Sequence, residues 1–226
     1  MLLILLGPPG SGKGTQGARI IEKYRVPKIS TGEIFRDLAA KGTELGLEAK
    51  KYWSAGKLVP DDVVVGLIRE RISGDDCKGG FILDGFPRTV QQADILGQLL
   101  AECGDFLDAV LDFDVNEEEL VRRLSGRRTC SQCGATYHVT SLPPKREGVC
   151  DHCGHSLAQR ADDTPDSIRI RLGEYRAKTA PLLNYYRNRG LLHSIDGNSD
   201  PDSVFDSVES ALQGICNGQN CLAGVD

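Results

Sequence analysis

The stretch with the plainest chemical purpose is Gly7-Pro8-Pro9-Gly10-Ser11-Gly12-Lys13-Gly14-Thr15, which directly follows the apolar run Leu2–Leu6. Glycines at this density let a backbone turn tightly, so that successive N–H groups converge on phosphate oxygens. A helix starting near Lys13 would add the partial positive charge of its N-terminus, and the Lys13 ammonium supplies a point charge for β- and γ-phosphates. Such a loop needs a strand before it and a helix after it, and both are legible here. Gly10, Ser11, Gly12, Lys13, Gly14 and Thr15 are therefore candidate phosphate ligands. The general motif puts Ser or Thr immediately after the lysine to hold Mg²⁺, whereas here Gly14 takes that place and the hydroxyl comes at Thr15. Magnesium would then be held through phosphate oxygens, water and a carboxylate elsewhere.

A second set of chemically marked residues is Cys130-Ser-Gln-Cys133 and Cys150-Asp-His-Cys153, with sixteen residues between the pairs. That interval fits a four-cysteine zinc site. Gly134 and Gly154 follow the pairs and suit the turns that aim backbone N–H groups at the sulfurs. Four thiolates leave no open position, so a Zn²⁺ held here would be structural rather than catalytic. An S₄ tetrahedron also accepts iron. The ion would staple a segment too small to fold on its own core. His138, His152 and His155 lie nearby, but the symmetry of the pairs favours four cysteines. Cys77 and Cys103 show no metal spacing and read as buried or half-buried apolar residues. Cys216 and Cys221 fall in a tail expected to be loose after Leu212.

These residues sit in a chain of 226 residues with a net charge of −5, long enough to bury a real core. An acidic protein does not collect nucleic-acid backbones by a global field. Arginine is nevertheless locally dense, at Arg122, Arg123, Arg127 and Arg128 and again at Arg160, Arg169 and Arg171, which suits a small anionic ligand. No apolar run approaches the roughly 18–20 residues of a membrane span. The apolar start lacks a basic leader and a cleavage site, and it reads as a buried strand rather than a signal peptide. Cys-x-x-Cys pairs suit a reducing compartment, so a cytoplasmic protein is expected, with no nucleic-acid or membrane partner and a monomeric state.

The elements that must carry these residues alternate in type. Leu2–Leu6, Gly80–Leu83, Ala109–Phe113 and Leu191–Ile195 are short apolar strand candidates separated by amphipathic stretches, which implies a parallel sheet with covering helices and an α/β fold. Between Thr164 and Asn188, Ile168, Leu172, Tyr175, Thr179, Leu182 and Tyr186 recur at helical spacing. Thr164 can cap this helix with Pro165 at its first position, and Pro181 predicts a kink within it. Residues 31–60 and 127–163 break the alternation and read as insertions.

Further motifs appear in order: Ser30-Thr31-Gly32-Glu33-Ile34-Phe35-Arg36, Asp84-Gly85-Phe86-Pro87-Arg88 with Gln92 after it, Gly126-Arg127-Arg128, and Arg160-Ala161-Asp162-Asp163. Together with the glycine-rich loop they resemble the adenylate kinase family, in its bacterial long-lid, zinc-bearing form, over nearly the whole chain. The resemblance implies a P-loop NTPase-like core with a five-stranded parallel sheet (1–30, 61–126 and 164–226) carrying two mobile insertions. One is a monophosphate-binding flap (31–60), the other a zinc-bearing lid (127–163). It implies ATP and AMP as substrates, reversibly giving two ADP, with Mg²⁺. Lys13 and the loop amides would hold the ATP phosphates. Arg123, Arg127, Arg160 and Arg171 would clamp ATP and the moving phosphoryl group, with Arg160 and Arg171 also reaching AMP. Arg36 and Arg88 would grip the AMP phosphate, Thr31, Gly85 and Gln92 would place its adenine, and Asp84 would order the magnesium water shell. Arg122 and Arg128 read as surface charges, and Trp53 as packing within the flap.

Three alternatives compete. A kinase for another monophosphate, or one using GTP, differs only in a few hydrogen bonds to the base. A P-loop switch or other small-metabolite kinase predicts Ser or Thr after Lys13 and leaves Arg36, Arg88 and Gln92 without a purpose. A nucleic-acid-binding zinc ribbon should be basic and aromatic, yet residues 129–158 offer only Lys145, Arg146 and Tyr137.

Overall fold

The computed structural model describes residues 1–218, with side chains as far as 215. Along the chain run β1 (Leu2–Leu6), α1 (Lys13–Tyr24), β2 (Lys28–Ser30), α2 (Thr31–Ala40), α3 (Glu44–Ser54), α4 (Asp61–Ile72), β3 (Phe81–Asp84), α5 (Val90–Glu102) and β4 (Ala109–Asp114). There follow α6 (Glu117–Gly126), β5 (Arg127–Cys130), β6 (Thr136–His138), β7 (Leu157–Ala158), α7 (Pro165–Glu174), α8 (Pro181–Arg187), β8 (Leu192–Asp196) and α9 (Pro201–Gly218). The chain divides into two compact units: residues 1–32, 60–115 and 175 onward, and residues 33–59 with 116–174.

The first unit is built on a five-stranded parallel sheet in the order β2-β3-β1-β4-β8. All five residues of β1 are buried, because a central parallel strand is covered on both faces and has no polar side to alternate with. Leu3, Leu5, Ile82, Leu111, Phe113 and Ile195 pack with Ile20 of α1 and with Val204, Val208 and Leu212 of α9. Each fully buried aliphatic side chain of this kind contributes about 1.5–3 kcal/mol. Arg19–Asp202 and Lys23–Glu209 ion pairs tie α1 to α9 at the rim. The strand order reverses direction on either side of β1, so the carboxyl ends of β3, β1 and β4 form the switch point where an open α/β sheet binds ligands. The glycine-rich loop leaves β1 at that edge, with Asp84 opposite Leu5 and Asp112 opposite Leu6.

In the second unit β5 pairs antiparallel with β6 and β7, giving a three-stranded sheet in the order β6-β5-β7. Against this sheet Cys130, Tyr137 and Cys150 form a small buried cluster, with Ala135 and Leu157 packed on it.

Three expectations change. The tail after Leu212 is not loose at once, since α9 runs on to Gly218; Cys221 lies outside the described residues. Val204, Val208 and Leu212 share one face at helical spacing and dock on the core, which carries the helix past Leu212. The helix expected from Thr164 to Asn188 is not one kinked rod but α7, a π turn at Tyr175–Thr179 and α8. Pro181 has no N–H and its ring excludes the carbonyl four residues back, so the backbone re-registers ahead of it, with Ala180 N–H bonding Tyr175 C=O at 2.9 Å. Thr164 does cap α7 through the Ser167 N–H. Cys103 is exposed rather than half-buried, because it forms the C-cap of α5 where the chain turns outward; Cys77 is buried. No helix among the described residues is long and apolar enough to cross a membrane.

Candidate functional site

In the first unit the glycine-rich loop enters α1 through Gly12, at φ 93°, and no side chain caps the helix. Its first N–H groups thus stay available to an anion, where the helix dipole adds to them. Gly7 is required at the loop's start. Its φ is 137°, and a Cβ there would stand 2.8 Å from both the Phe113 carbonyl oxygen and Ser11 Oγ. Lys13 Nζ curls back over the loop, donating to Gly7 C=O at 2.7 Å, Pro8 C=O at 2.8 Å and Ser11 Oγ at 3.3 Å. The lysine is thereby aimed into the loop it serves rather than into solvent.

Asp84 ends β3 at the same edge. Asp112, to which the sequence reading gave no role, is a buried carboxylate two strands away in β4. Burial lifts it to about 6, Asp114 pushes it in the same direction, and Lys13 and Arg187 oppose. Its only signal in the sequence was an acid inside the apolar run Val110-Leu111-Asp112-Phe113.

Thr31, Gly85, Arg88 and Gln92 come together beside Asp84. The backbone at Gly85 has φ 83°, and a Cβ there would meet Arg88 Nη2 at 2.9 Å and Thr31 Oγ1 at 3.0 Å. Its carbonyl accepts from Thr31 Oγ1 at 3.0 Å and Arg88 Nε at 2.7 Å. The Phe86–Pro87 peptide bond is cis. Gln92 is buried, accepting the Arg88 N–H on Oε1 at 2.6 Å and donating from Nε2 to Asp61 Oδ1 at 2.7 Å. Asp61 also accepts from Thr89 Oγ1, the N-cap of α5, so one carboxylate fixes both the cap and Gln92. Asp61 was missed because its partners lie about thirty residues on.

In the second unit the arginines gather. Asp163 is fully buried and accepts from Arg127 through Nε at 2.8 Å and Nη2 at 2.6 Å, a two-pronged pair. Arg171 Nη1 donates to the same carboxylate at 2.9 Å and to Asp162 Oδ2 at 3.0 Å. Arg169 instead pairs with Asp166 in the open, so Arg171 is the one drawn into the cluster. Arg160 Nε donates to Thr129 Oγ1 at 3.0 Å. Burial, then repulsion from Arg127 and Arg36, brings Arg160 down to about 9. Burial likewise lowers Arg36, which feels Asp162 and Glu33 as attraction and Arg127 and Arg171 as repulsion. Arg36, Arg127, Arg160 and Arg171 thus stand against Asp162 and Asp163, with Glu33 beside Arg36, so that the guanidiniums outnumber the carboxylates. Arg123 Nε donates to Glu119 Oε1 at 2.6 Å outside this group, and Glu119 is drawn to about 2 by Arg122 first and Arg123 second. Arg122 and Arg128 spend their donors on Glu119 and on the backbone carbonyls of Ser125 and Arg127, as surface charges do.

The four cysteine sulfurs of the same unit lie within 4.8 Å of one another. Cys130 and Cys153 approach to 3.4 Å, Cys133 and Cys150 to 3.6 Å. A tetrahedron with Zn–S bonds of about 2.3 Å has edges of about 3.8 Å, so the donor set fits an ion of that size. Gly134 and Gly154 close the two turns at φ 72° and 75°, and the Gln132 N–H points at Cys130 Sγ at 3.4 Å. Burial raises the Cys150 thiol, but the Tyr137 hydroxyl and the N–H groups of Cys153 and His152 outweigh it and leave it at about 6. His138 is turned away from the sulfurs: Nδ1 accepts the N–H groups of Thr140 and Ser141 at 3.1 Å each, and Nε2 lies 3.3 Å from the Arg122 carbonyl.

Comparison with known proteins accords with this arrangement. The family model described as adenylate kinase matches residues 5–191. An adenylate kinase of Carboxydothermus hydrogenoformans is 52% identical over 213 residues, covering 94% of this chain and 100% of the relative. One of Archaeoglobus fulgidus is 50% identical over 215 residues, covering 95% and 99%. One of Methanosarcina barkeri is 49% identical over 213 residues, covering 94% and 99%. A family match across most of its length, and half-identity to relatives from end to end, mean that the chain belongs to the adenylate kinase family.

Proposed function

We propose that this chain moves the γ-phosphoryl group of Mg·ATP onto AMP, reversibly giving two ADP and so balancing the adenine nucleotides. The observation that carries the reading is the cluster of Arg36, Arg127, Arg160 and Arg171, whose four positive charges outnumber the carboxylates of Asp162, Asp163 and Glu33 around them. Phosphoryl transfer asks little covalent chemistry of the protein, and positioning with charge neutralisation supplies most of the acceleration. An excess of fixed guanidiniums in an otherwise acidic chain is a preorganised receptor for transferring phosphate oxygens.

The division of labour follows from the residues. The loop amides of Gly10, Ser11, Gly12, Gly14 and Thr15 receive the ATP phosphates, and Lys13 trades its carbonyl partners for a phosphate oxygen. Arg123 and Arg127 hold the ATP side, Arg36 and Arg88 the AMP phosphate, and Arg160 and Arg171 the group in flight. Thr31, Gly85 and Gln92 place the adenine of AMP. The AMP phosphate is ionised at neutral pH, so no general base is needed. Asp84 would order the water shell of a Mg²⁺ brought in with ATP, an ion that would offset negative charge on the phosphates. Cys130, Cys133, Cys150 and Cys153 would hold a structural Zn²⁺. Residues 31–60 act as the flap over AMP and 127–163 as the lid over ATP, and their closure keeps water from the phosphoryl group. The enzyme acts as a cytoplasmic monomer in this reading, the Cys-x-x-Cys pairs being suited to a reducing compartment.

A coupled assay of ADP formation from Mg·ATP with AMP, GMP, CMP, UMP or shikimate as acceptor tests this. Strong turnover with AMP alone is expected. Turnover with another monophosphate keeps the mechanism and moves the base selectivity; slow ATP loss whatever the acceptor overturns the reading.

A further inference from the structure

Tyr137, the one aromatic residue between positions 129 and 158, takes no part in the chemistry above. It is the middle residue of β6, paired with Arg128 of β5, and its ring fills the small core between Cys130 and Cys150. A buried phenol needs a partner for its hydroxyl, and this one has two. The Asp151 N–H donates to the phenol oxygen at 2.8 Å, and Cys150 Sγ lies 3.5 Å from the same oxygen. A backbone amide can only donate, so the phenol's own proton remains for the sulfur, and a cysteine ligating a metal is a thiolate that can only accept. The direction of the chain is thereby fixed: Asp151 N–H to Tyr137 O–H to Cys150 S⁻.

We propose that the Tyr137 hydroxyl is a positioning group for the lid's metal, donating a hydrogen bond to the Cys150 sulfur and setting how tightly and with what electronic character that sulfur binds. Four thiolates around a divalent ion carry two excess negative charges, and Cys150 is among the sulfurs buried away from water. A hydrogen bond at that sulfur draws off charge that solvent cannot screen. It also pins the Cys150 side chain, because Asp151, the next residue, is held to the same oxygen. Partners that hold a ligand in this way typically change metal affinity by about 10–100-fold. The ring supplies packing and the hydroxyl supplies the bond, so Tyr137→Phe separates the two.

The inference rests on the four cysteines holding a metal, and the experiment keeps the two apart. The full chain is loaded with Co²⁺, whose sulfur-to-metal charge-transfer band reports the electron density on the ligating sulfurs, and its affinity is measured against a chromophoric chelator. Tyr137→Phe is expected to weaken binding by about tenfold and to move the band to longer wavelength, since an undonated thiolate gives up charge more easily. Site-specific 2,3-difluorotyrosine at 137 has a more acidic hydroxyl, and it should move the band to shorter wavelength. That arm decides the matter even if the phenylalanine variant fails to fold. A band and an affinity equal to wild type in the variants that fold overturn the hydrogen bond while leaving the metal site standing. A wild-type chain that takes up no Co²⁺ overturns both.

Discussion

Asp163→Asn tests the electrostatic design of the arginine cluster most directly. The side chain is fully buried, and its two oxygens take three donors from Arg127 and Arg171. Asparagine keeps the volume, so no cavity forms. It removes the charge, and it turns an NH₂ towards a guanidinium that can only donate. Breaking a buried pair by removing one partner costs about 3–5 kcal/mol, because the other charge is left uncompensated. Arg171 retains Asp162 at 3.0 Å, which puts the expected loss near the lower figure. About 3 kcal/mol lowers the melting temperature of a domain this size by roughly 6–12 °C. Urea unfolding should show a lower midpoint with an unchanged slope, since the surface exposed is the same. Sulfate should restore more stability to the variant than to the wild type, because an added anion takes the place of the lost one. A loss below about 1 kcal/mol, or a sulfate response equal to the wild type's, would refute the idea that Asp163 holds mutually repelling arginines together.

Asp112→Asn should raise thermal stability at pH 7 and leave it unchanged near pH 4. The folded carboxyl sits at about 6 against a reference of 3.8. The native state therefore binds more protons than the unfolded chain between those values, and this group's contribution falls as pH rises through the window. Its neighbours are Asp114 in β4, Lys13 at the start of α1, Arg187 in α8 and Tyr175 in the π turn, and none is altered by the substitution. Melting curves from pH 4 to 8 that run parallel for variant and wild type would remove Asp112 as the source. Arg88→Ala should lower kcat by about 10²–10³ with the fold intact, as loss of a transition-state donor does; near-normal turnover would take Arg88 out of the site. Chelation should lower the melting temperature through the lid, whose own apolar cluster is built on Cys130, Tyr137 and Cys150, and an unchanged value after proven metal loss would show that the metal is not structural.

Much of this was legible because the strongest signals are local. The apolar run Leu2–Leu6 followed by glycines and Lys13 specifies strand, loop and helix within about two dozen residues, and β1 and α1 occupy those positions. The four cysteines were legible from spacing alone, and their sulfurs do converge. What escaped is non-local or short. The edge strand β2 has three residues, Lys28–Ser30, too few to show a period, and it is defined by pairing with β3 some fifty residues on. Asp61 gains its meaning from Thr89 and Gln92, 28 and 31 residues on, and Asp163, which stood in a motif without a role, from Arg127, 36 residues back, together with Arg171, 8 residues on. The π turn was hidden because the apolar stripe keeps helical spacing through it; the stripe reports which side is buried, whereas the re-registered hydrogen bonds answer to Pro181.

The placement of the acids explains how an acidic chain can keep so many half-buried arginines together. Asp162 and Asp163 are adjacent in sequence, and between them they engage Arg127 and Arg171 by direct ion pairs and Arg36 and Arg160 at longer range. These two carboxylates fix where the guanidiniums stand, and even with Glu33 beside Arg36 they are too few to neutralise them. A further acid would add stability and weaken the attraction for phosphate; without Asp163 the arginines would repel each other out of position. Activity in such a site is bought with stability, so an Asp or Glu introduced beside Arg160, as at Thr129, should raise the melting temperature while weakening nucleotide binding. Stabilisation without loss of affinity would mean that the excess charge is not what draws the phosphates.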